Sequence, residues 1–67
     1  MKTKQPTGHR IAVLRRAKAL SQQQLAATLG VHVLTVSRWE RGERTPHAMS
    51  LGAIAAALGC SVGELTE

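Results

Sequence analysis

Residues 21–42 read SQQQLAATLGVHVLTVSRWERG and contain two short helical segments joined by a glycine turn. Ser21 and Gln24 have the spacing of a capping box, in which the serine side chain accepts from a backbone N–H three residues on. A helix is therefore expected to begin there and to end at Gly30, which supplies a left-handed residue. A second helix is predicted from about His32 to Arg41, with a glycine directly after it. The two helices should be separated by a tight turn.

Apolar residues at helical spacing also precede this stretch. Ile11 and Leu14 begin the pattern, which predicts a first helix from Thr7 to about Ala19. Basic residues near its end interact favourably with the helix dipole. The residues before Thr7 are polar, charged and without periodicity, so residues 1–6 are predicted to be a flexible arm.

The helical pattern resumes after the stretch. It begins beyond Pro46 and stops at Gly59, and it predicts a helix whose core-facing residues are Ala48, Leu51, Ile54, Ala55 and Leu58. Ser61 and Glu64 then repeat the capping-box spacing, which predicts a last short turn of helix. Because no segment has the alternation typical of a strand, we predict an all-α fold, a compact bundle of about five short helices.

The net charge of the chain narrows the choice of partner. Nine Lys and Arg against four Asp and Glu give a formal charge of +5. Such a balance suits an anionic partner, either nucleic acid or an acidic membrane face. A membrane role would need a long basic amphipathic helix with aromatic anchors, and the chain has one aromatic residue, Trp39. At 67 residues we expect a single domain with one small core.

Residue types that carry catalysis or bind metals are not arranged for either task. His9, His32, His47 and Cys60 have no metal-ligand spacing, and there is no glycine-rich phosphate loop and no acid pair for proton transfer. We therefore expect neither an enzyme nor a cofactor. The single cysteine cannot form a disulfide within the chain and is expected to be a small buried hydrophobe. Since no apolar run approaches the roughly 20 residues that cross a bilayer, we expect a cytoplasmic protein.

The segment from His32 to Arg41 has two different faces on a helical wheel. Thr35, Val36 and Trp39 share one face, and we interpret Trp39 as a packing residue of the core. The opposite face consists of Val33, Leu34, Ser37, Arg38 and Arg41. Arginine can pair with guanine in the major groove of DNA, and aliphatic side chains can contact thymine methyl groups. The pattern favours a DNA-reading surface, with contact to another protein as the alternative.

Three segments together resemble the lambda repressor and Cro type of helix-turn-helix domain, also called the XRE family. They are LSQQQLAATLGV, TVSRWERGERTP and LGAIAAALGCSVGEL, and the resemblance extends from about Ile11 to Leu65. It implies that the third helix lies in the major groove and that the second crosses the DNA backbone. It also implies a sequence-specific transcriptional regulator, with repression as the expected direction. Members of this family usually bind double-stranded DNA as homodimers on an inverted repeat.

The resemblance gives individual positions a role. Gln22, assisted by Gln23, matches the position at the start of the second helix that contacts a phosphate. Arg41 matches a backbone contact at the end of the third helix, and Arg44 is expected to bind another phosphate. The base-reading or groove-lining positions are His32, Val33, Leu34, Ser37 and Arg38. Because Val33 and Leu34 cannot form side-chain hydrogen bonds, they are expected to favour thymine near the guanine read by Arg38.

Other positions concern the framework of the domain. Arg15 and Glu40 match positions that form an ion pair between the first and third helices of related domains, so Arg15 is expected to brace the reading helix and to touch the DNA backbone. His32 and His47 stand where the family commonly has serine, which predicts looser helix starts. Ala19 stands where Gly or Asn commonly provides a left-handed turn, so the first helix departs from the family pattern at its end.

Two questions about partners remain open. The same fold serves in antitoxins, which bind both operator DNA and a partner toxin protein, and exposed apolar residues such as Met49 and Val62 would support that alternative. For a homodimer, the candidate contacts lie on the fourth helix and the last turn, including Val62 and Leu65. Both residues are also expected to close the core, and for Leu65 we favour the core over a dimer contact.

Overall fold

The structure is a computed structural model that describes residues 7–66. Five helices follow one another along these residues: α1 (Thr7–Ala17), α2 (Gln22–Leu29), α3 (Val33–Glu40), α4 (Ala48–Leu58) and α5 (Val62–Thr66). No strand occurs within residues 7–66, and the predicted all-α class is confirmed. The predicted flexible arm, residues 1–6, lies outside the described residues.

Helix α2 begins and ends at the predicted residues. The Ser21 hydroxyl accepts a hydrogen bond from the Gln24 N–H at 2.9 Å, and the Gln24 side-chain oxygen accepts one from the Ser21 N–H at 2.8 Å. Gly30 adopts a left-handed φ of 72°, and the following residue, Val31, donates its N–H to the Ala26 carbonyl at 3.0 Å. These caps satisfy backbone groups that a helix leaves free, so the chain turns directly into α3.

The residues that depart from the family pattern behave differently from one another. His32 Nδ1 accepts from the Leu34 N–H at 3.0 Å, so the prediction of a loose start is wrong for α3. At α4 the prediction is confirmed, because the His47 side chain makes no cap hydrogen bond. Ala19 itself adopts a left-handed φ of 59°, and α1 ends at Ala17, slightly before the predicted end. A left-handed alanine costs about 1 kcal/mol, which the surrounding packing must offset.

The core receives side chains from all five helices. The side chains with no accessible surface are Ile11, Leu25, Val36, Ile54 and Leu65. Trp39 is buried in the same cluster, and its predicted packing role is confirmed. Burial of each large apolar side chain stabilises the fold by roughly 1.5–3 kcal/mol. Helix α3 is therefore fixed through Val36 and Trp39, and its other face is left on the surface.

Three predictions about packing are corrected by the structure. Leu65 is fully buried, so this candidate dimer residue cannot contact a second copy. Cys60 is only half-buried, and burial raises the pKa of its thiol. Ala48 is exposed although it belongs to the apolar pattern of α4, because the buried residues of α4, Ile54, Ala55 and Leu58, all lie in its second half.

Candidate nucleic-acid interface

The outward face of α3 brings four of the predicted base-reading residues together. Val33 and Leu34 are 36% and 42% exposed, Arg38 is exposed, and Ser37 is half-buried. Residues at these positions share one side of a helix because three or four residues complete a turn. We call Val33, Leu34, Ser37 and Arg38 the α3 outer surface. An α-helix with its side chains fits the width of the major groove of B-form DNA.

The turn between α2 and α3 continues this surface. Gln23 and His32 are exposed, and together with Val33 they line one shallow depression between the two helices. The His32 ring is held in place by its cap hydrogen bond to the Leu34 N–H. Two further predicted contact residues therefore lie beside the α3 outer surface.

Glu40, at the end of α3, connects three helices through its carboxylate. Arg15 donates from Nε to Glu40 Oε2 at 2.7 Å and from Nη2 to Oε1 at 3.0 Å, and Gln22 donates from Nε2 to the same Oε1 at 2.8 Å. The Arg15 and Glu40 side chains are only 9% and 6% exposed. The predicted ion pair is confirmed, and we call Arg15, Gln22 and Glu40 the Glu40 cluster.

The surroundings of the Glu40 cluster keep both of its charged groups ionised. Burial alone would raise the pKa of Glu40, but the hydrogen bonds from Arg15 and Gln22 and the arginine charge outweigh it, so the pKa lies below its ordinary value. The hydrogen bond with Glu40 raises the pKa of Arg15. Removing one partner from a buried pair leaves an uncompensated charge, which typically costs about 3–5 kcal/mol.

Membership of this cluster limits what Gln22 and Arg15 can do toward DNA. Gln22 is half-buried, and one amide N–H already donates to Glu40, so only its second amide N–H and its backbone N–H can meet a phosphate. Arg15 also donates from Nη1 to the Leu20 carbonyl at 2.7 Å, and its side chain is nearly inaccessible. This geometry therefore does not favour the predicted contact of Arg15 with the DNA backbone, and its hydrogen bonds connect α1 to Glu40 of α3.

Arg41 and Arg44 lie at the end of α3 and in the turn beyond it, and their surroundings differ. Arg41 donates from Nε to Glu43 Oε2 at 3.0 Å and from Nη2 to Glu43 Oε1 at 3.1 Å. Arg44 is exposed and lines a depression together with Thr45 and His47. Sequence reasoning did not assign Glu43 any role, although the opposite charges two residues apart in the string ERGER were a visible signal.

A second residue that sequence reasoning missed is Gly8, in the first turn of α1. A Cβ built on Gly8 would overlap the carbonyl oxygen of Trp39 and lie 2.8 Å from its carbonyl carbon. The absence of a side chain at Gly8 therefore lets α1 approach the backbone of α3 closely. Hydropathy patterns carry no signal for such a contact, because they report on side chains that are present.

Residues 7–66 contain neither a metal site nor a membrane-spanning helix. No group of three or more His, Cys, Asp or Glu side chains in this part of the chain has a geometry that could hold a metal ion. None of its helices is both long enough and apolar enough to cross a bilayer.

A capped α2, a tight turn and an α3 with one buried and one exposed face define a helix-turn-helix domain. The chain belongs to the HTH_3 helix-turn-helix family, whose model matches residues 11–65. The predicted family is therefore confirmed. This chain is 41% identical over 58 residues to an uncharacterized HTH-type transcriptional regulator, y4dJ, of Sinorhizobium fredii. The aligned residues cover 87% of this chain and 75% of that protein.

Solved structures with the same fold include a repressor and part of an enzyme. The P22 c2 repressor, in complex with a synthetic operator, superposes with a TM-score of 0.89 at 34% identity over 96% of this chain and 97% of the repressor chain. Hydroxypropylphosphonic acid epoxidase of S. wedmorenis superposes with a TM-score of 0.86 at 33% identity. That match covers 92% of this chain but only 33% of the epoxidase, so it concerns a helix-turn-helix-like part of the enzyme.

Proposed function

We propose that this protein is a sequence-specific DNA-binding transcriptional regulator that reads the major groove with α3. The proposal is supported above all by the α3 outer surface, where two exposed aliphatic residues, a hydroxyl group and an arginine lie together. Trp39, on the opposite face of α3, is buried in the core and holds the helix in place. The net charge of +5 fits a polyanionic partner. Family membership and the likeness to an operator-bound repressor support the same function.

The proposed contacts divide into base readers and phosphate binders. Arg38 is the base reader with the most information, because a guanidinium can donate two hydrogen bonds to the O6 and N7 atoms of guanine. No hydrogen bond or ion pair occupies its side chain within residues 7–66, so its donors are available. Val33 and Leu34 are proposed to pack against thymine methyl groups, with Ser37 and His32 lining the groove beside them.

The phosphate binders flank the α3 outer surface on both sides. Gln23 and the backbone at the start of α2 are proposed to bind one strand, where the N–H groups of a helix terminus favour anions. Arg41 and Arg44 are proposed to bind phosphates beyond the other end of α3. Such contacts position the helix in the groove but carry no sequence information themselves.

We propose that the protein acts as a homodimer on an inverted repeat, because a single α3 of eight residues reaches only a few base pairs. Met49 and Val62 are 91% and 41% exposed and are the apolar candidates for the dimer contact. The P22 c2 relative is a repressor, which supports repression as the direction of regulation. Binding to chromosomal DNA would place the protein in the cytoplasm, at the nucleoid. The antitoxin alternative has no specific support among these relatives, and we do not propose it.

Selection of bound sequences from a pool of random duplex DNA tests this function. We expect enrichment of an inverted repeat whose half-site centres lie about 10 base pairs apart, which is one helical turn. Failure to enrich any sequence would contradict sequence-specific reading. Enrichment of a single asymmetric half-site would contradict the proposed dimer but not the proposal that α3 reads the bases.

A further inference from the structure

The Nε–Nη2 edge of the Arg41 guanidinium is already occupied in the free domain. Its two parallel hydrogen bonds to Glu43, at 3.0 and 3.1 Å, have the bidentate geometry that arginine also uses for phosphate. A phosphate that approaches the Nε–Nη2 edge of Arg41 therefore competes with the Glu43 carboxylate for these two N–H groups. This edge cannot serve both acceptors at one time.

The backbone holds Glu43 in this position. Gly42 adopts a left-handed φ of 78°, which turns the chain back over the end of α3. The Glu43 N–H then donates to the Arg38 carbonyl at 2.9 Å. The turn therefore keeps the Glu43 backbone at this end of α3, and its carboxylate lies within reach of Arg41.

The pair is accessible and easily exchanged. The Arg41 and Glu43 side chains are each 53% exposed, and ion pairs in contact with water are weak. A phosphate of bound DNA can therefore replace Glu43 without unfolding any element. The displaced carboxylate would then be left close to the DNA backbone with its charge uncompensated.

We propose that Glu43 sets the affinity of this domain for the DNA backbone by holding Arg41 in the free protein and giving way to a phosphate on binding. The inference rests on the proposed function, because it requires that α3 docks on duplex DNA. Its effect is on affinity and not on base preference, since Glu43 competes with a phosphate. Glu43 should therefore weaken binding to the selected site and to random DNA by the same factor.

The exchange of Glu43 for a phosphate predicts how the affinity for DNA depends on salt. When a free arginine neutralises a phosphate, a condensed cation is released, and the logarithm of affinity falls by about 0.9 per logarithmic unit of salt for each phosphate. When the arginine instead exchanges a carboxylate for a phosphate, the freed carboxylate adds one negative charge beside the DNA, which then retains a cation, and the release is offset. Glu43 should therefore make the salt dependence shallower by about 0.9.

The test compares Glu43→Gln with Glu64→Gln in the full chain. Both substitutions remove one negative charge and keep the size of the side chain, but Glu64 lies on α5, where it caps the helix through the Ser61 N–H at 2.8 Å. Dissociation constants for the selected duplex and a random duplex are measured across a salt series by fluorescence anisotropy. Thermal unfolding monitored by circular dichroism shows that each variant is folded.

Glu43→Gln is expected to tighten binding to both duplexes and to steepen the salt slope by about 0.9, so that its advantage grows about eightfold for each tenfold dilution of salt. Glu64→Gln should leave the slope unchanged. In an Arg41→Gln background, Glu43→Gln should lose its effect on the slope.

Two results would contradict the role of Glu43 without contradicting the proposed function. One is a Glu43→Gln variant that binds as the unsubstituted protein does. The other is an equal gain in affinity and slope in the presence and absence of Arg41, because Glu43 would then repel DNA without acting through Arg41. Absence of salt-dependent DNA binding by the unsubstituted protein would overturn the proposed function and this inference with it.

Discussion

Replacing Gly8 with alanine should destabilise the domain, although alanine is the better helix former. The added methyl group would overlap the carbonyl oxygen of Trp39, and the neighbouring atoms belong to backbone that cannot rotate away. Either the first turn of α1 moves away from α3 or α3 shifts. Both responses disturb the contact that places the end of the reading helix.

The size of this effect follows from two opposing terms. Glycine to alanine in an open helical position gains about 1 kcal/mol. Overpacking a close contact costs about 1–3 kcal/mol and more where backbone must shift. Because backbone must shift at Gly8, we take the upper end of this cost, about 3 kcal/mol, and expect a net loss of about 2 kcal/mol for Gly8→Ala. In a domain of this size such a loss lowers the melting temperature by about 10 °C.

Gly52→Ala is the matched control, because Gly52 lies inside α4 and a Cβ there meets no atom within 4 Å. This substitution should gain about 1 kcal/mol and raise the melting temperature by about 5 °C. Thermal unfolding followed by circular dichroism at 222 nm, supported by urea titration, measures both variants. If Gly8→Ala stabilised the domain as much as Gly52→Ala does, the close approach of α1 to α3 would be refuted.

Three further predictions concern the Glu40 cluster and the α3 outer surface. Because the folded pKa of Glu40 is lowered, its contribution to stability is present above the unfolded-chain value of about 4.3 and is lost as the pH falls through the lower folded value. The urea midpoint of the unsubstituted protein should therefore drop as the pH falls below the unfolded-chain value of about 4.3. Glu40→Gln should be less stable by about 3 kcal/mol at pH 7, and its urea midpoint should change less on acidification. If the urea midpoints of the two proteins changed in parallel with pH, this prediction would be contradicted. Arg38→Ala should cost about 1–3 kcal/mol of binding free energy and relax the base preference at one base pair. Arg44→Ala should instead weaken binding to all duplexes equally, and affinities for base-substituted sites measure both effects. Uracil in place of thymine should weaken binding where Val33 or Leu34 contacts a methyl group, and unchanged affinity at every substituted thymine would exclude that contact.

Local sequence signals predicted the helices well because caps and periodicity act over a few residues. Ser21, Gln24 and Gly30 define α2 by bonds within one turn, and the packing role of Trp39 follows from its spacing to Val36. The same reasoning favoured the core for Leu65, which is buried, but also had Val62 close the core, and Val62 is 41% exposed. The five-residue α5 is too short for periodicity to show which of its residues faces the core.

Contacts between distant residues were the part that the sequence did not reveal. Gln22 and Glu40 are separated by 18 positions, and only the crossing of α2 and α3 shows that their side chains meet. Gly8 could not be recognised as a contact with Trp39, because glycine offers no pattern. The family resemblance supplied the ion pair of Arg15 with Glu40 but not the engagement of Gln22, which changes what Gln22 can offer to a phosphate.

The measurement that tests DNA reading by α3 most directly is a titration of the ¹⁵N-labelled protein with the selected duplex, followed by amide chemical shifts. We predict that the largest changes map to the α3 outer surface and to the start of α2, and that the side formed by α1 and α5 around Val13 and Glu64 changes little. Changes concentrated around Val13 and Glu64, with the amides of Val33 to Arg38 unaffected, would contradict the assignment of α3 as the reading helix.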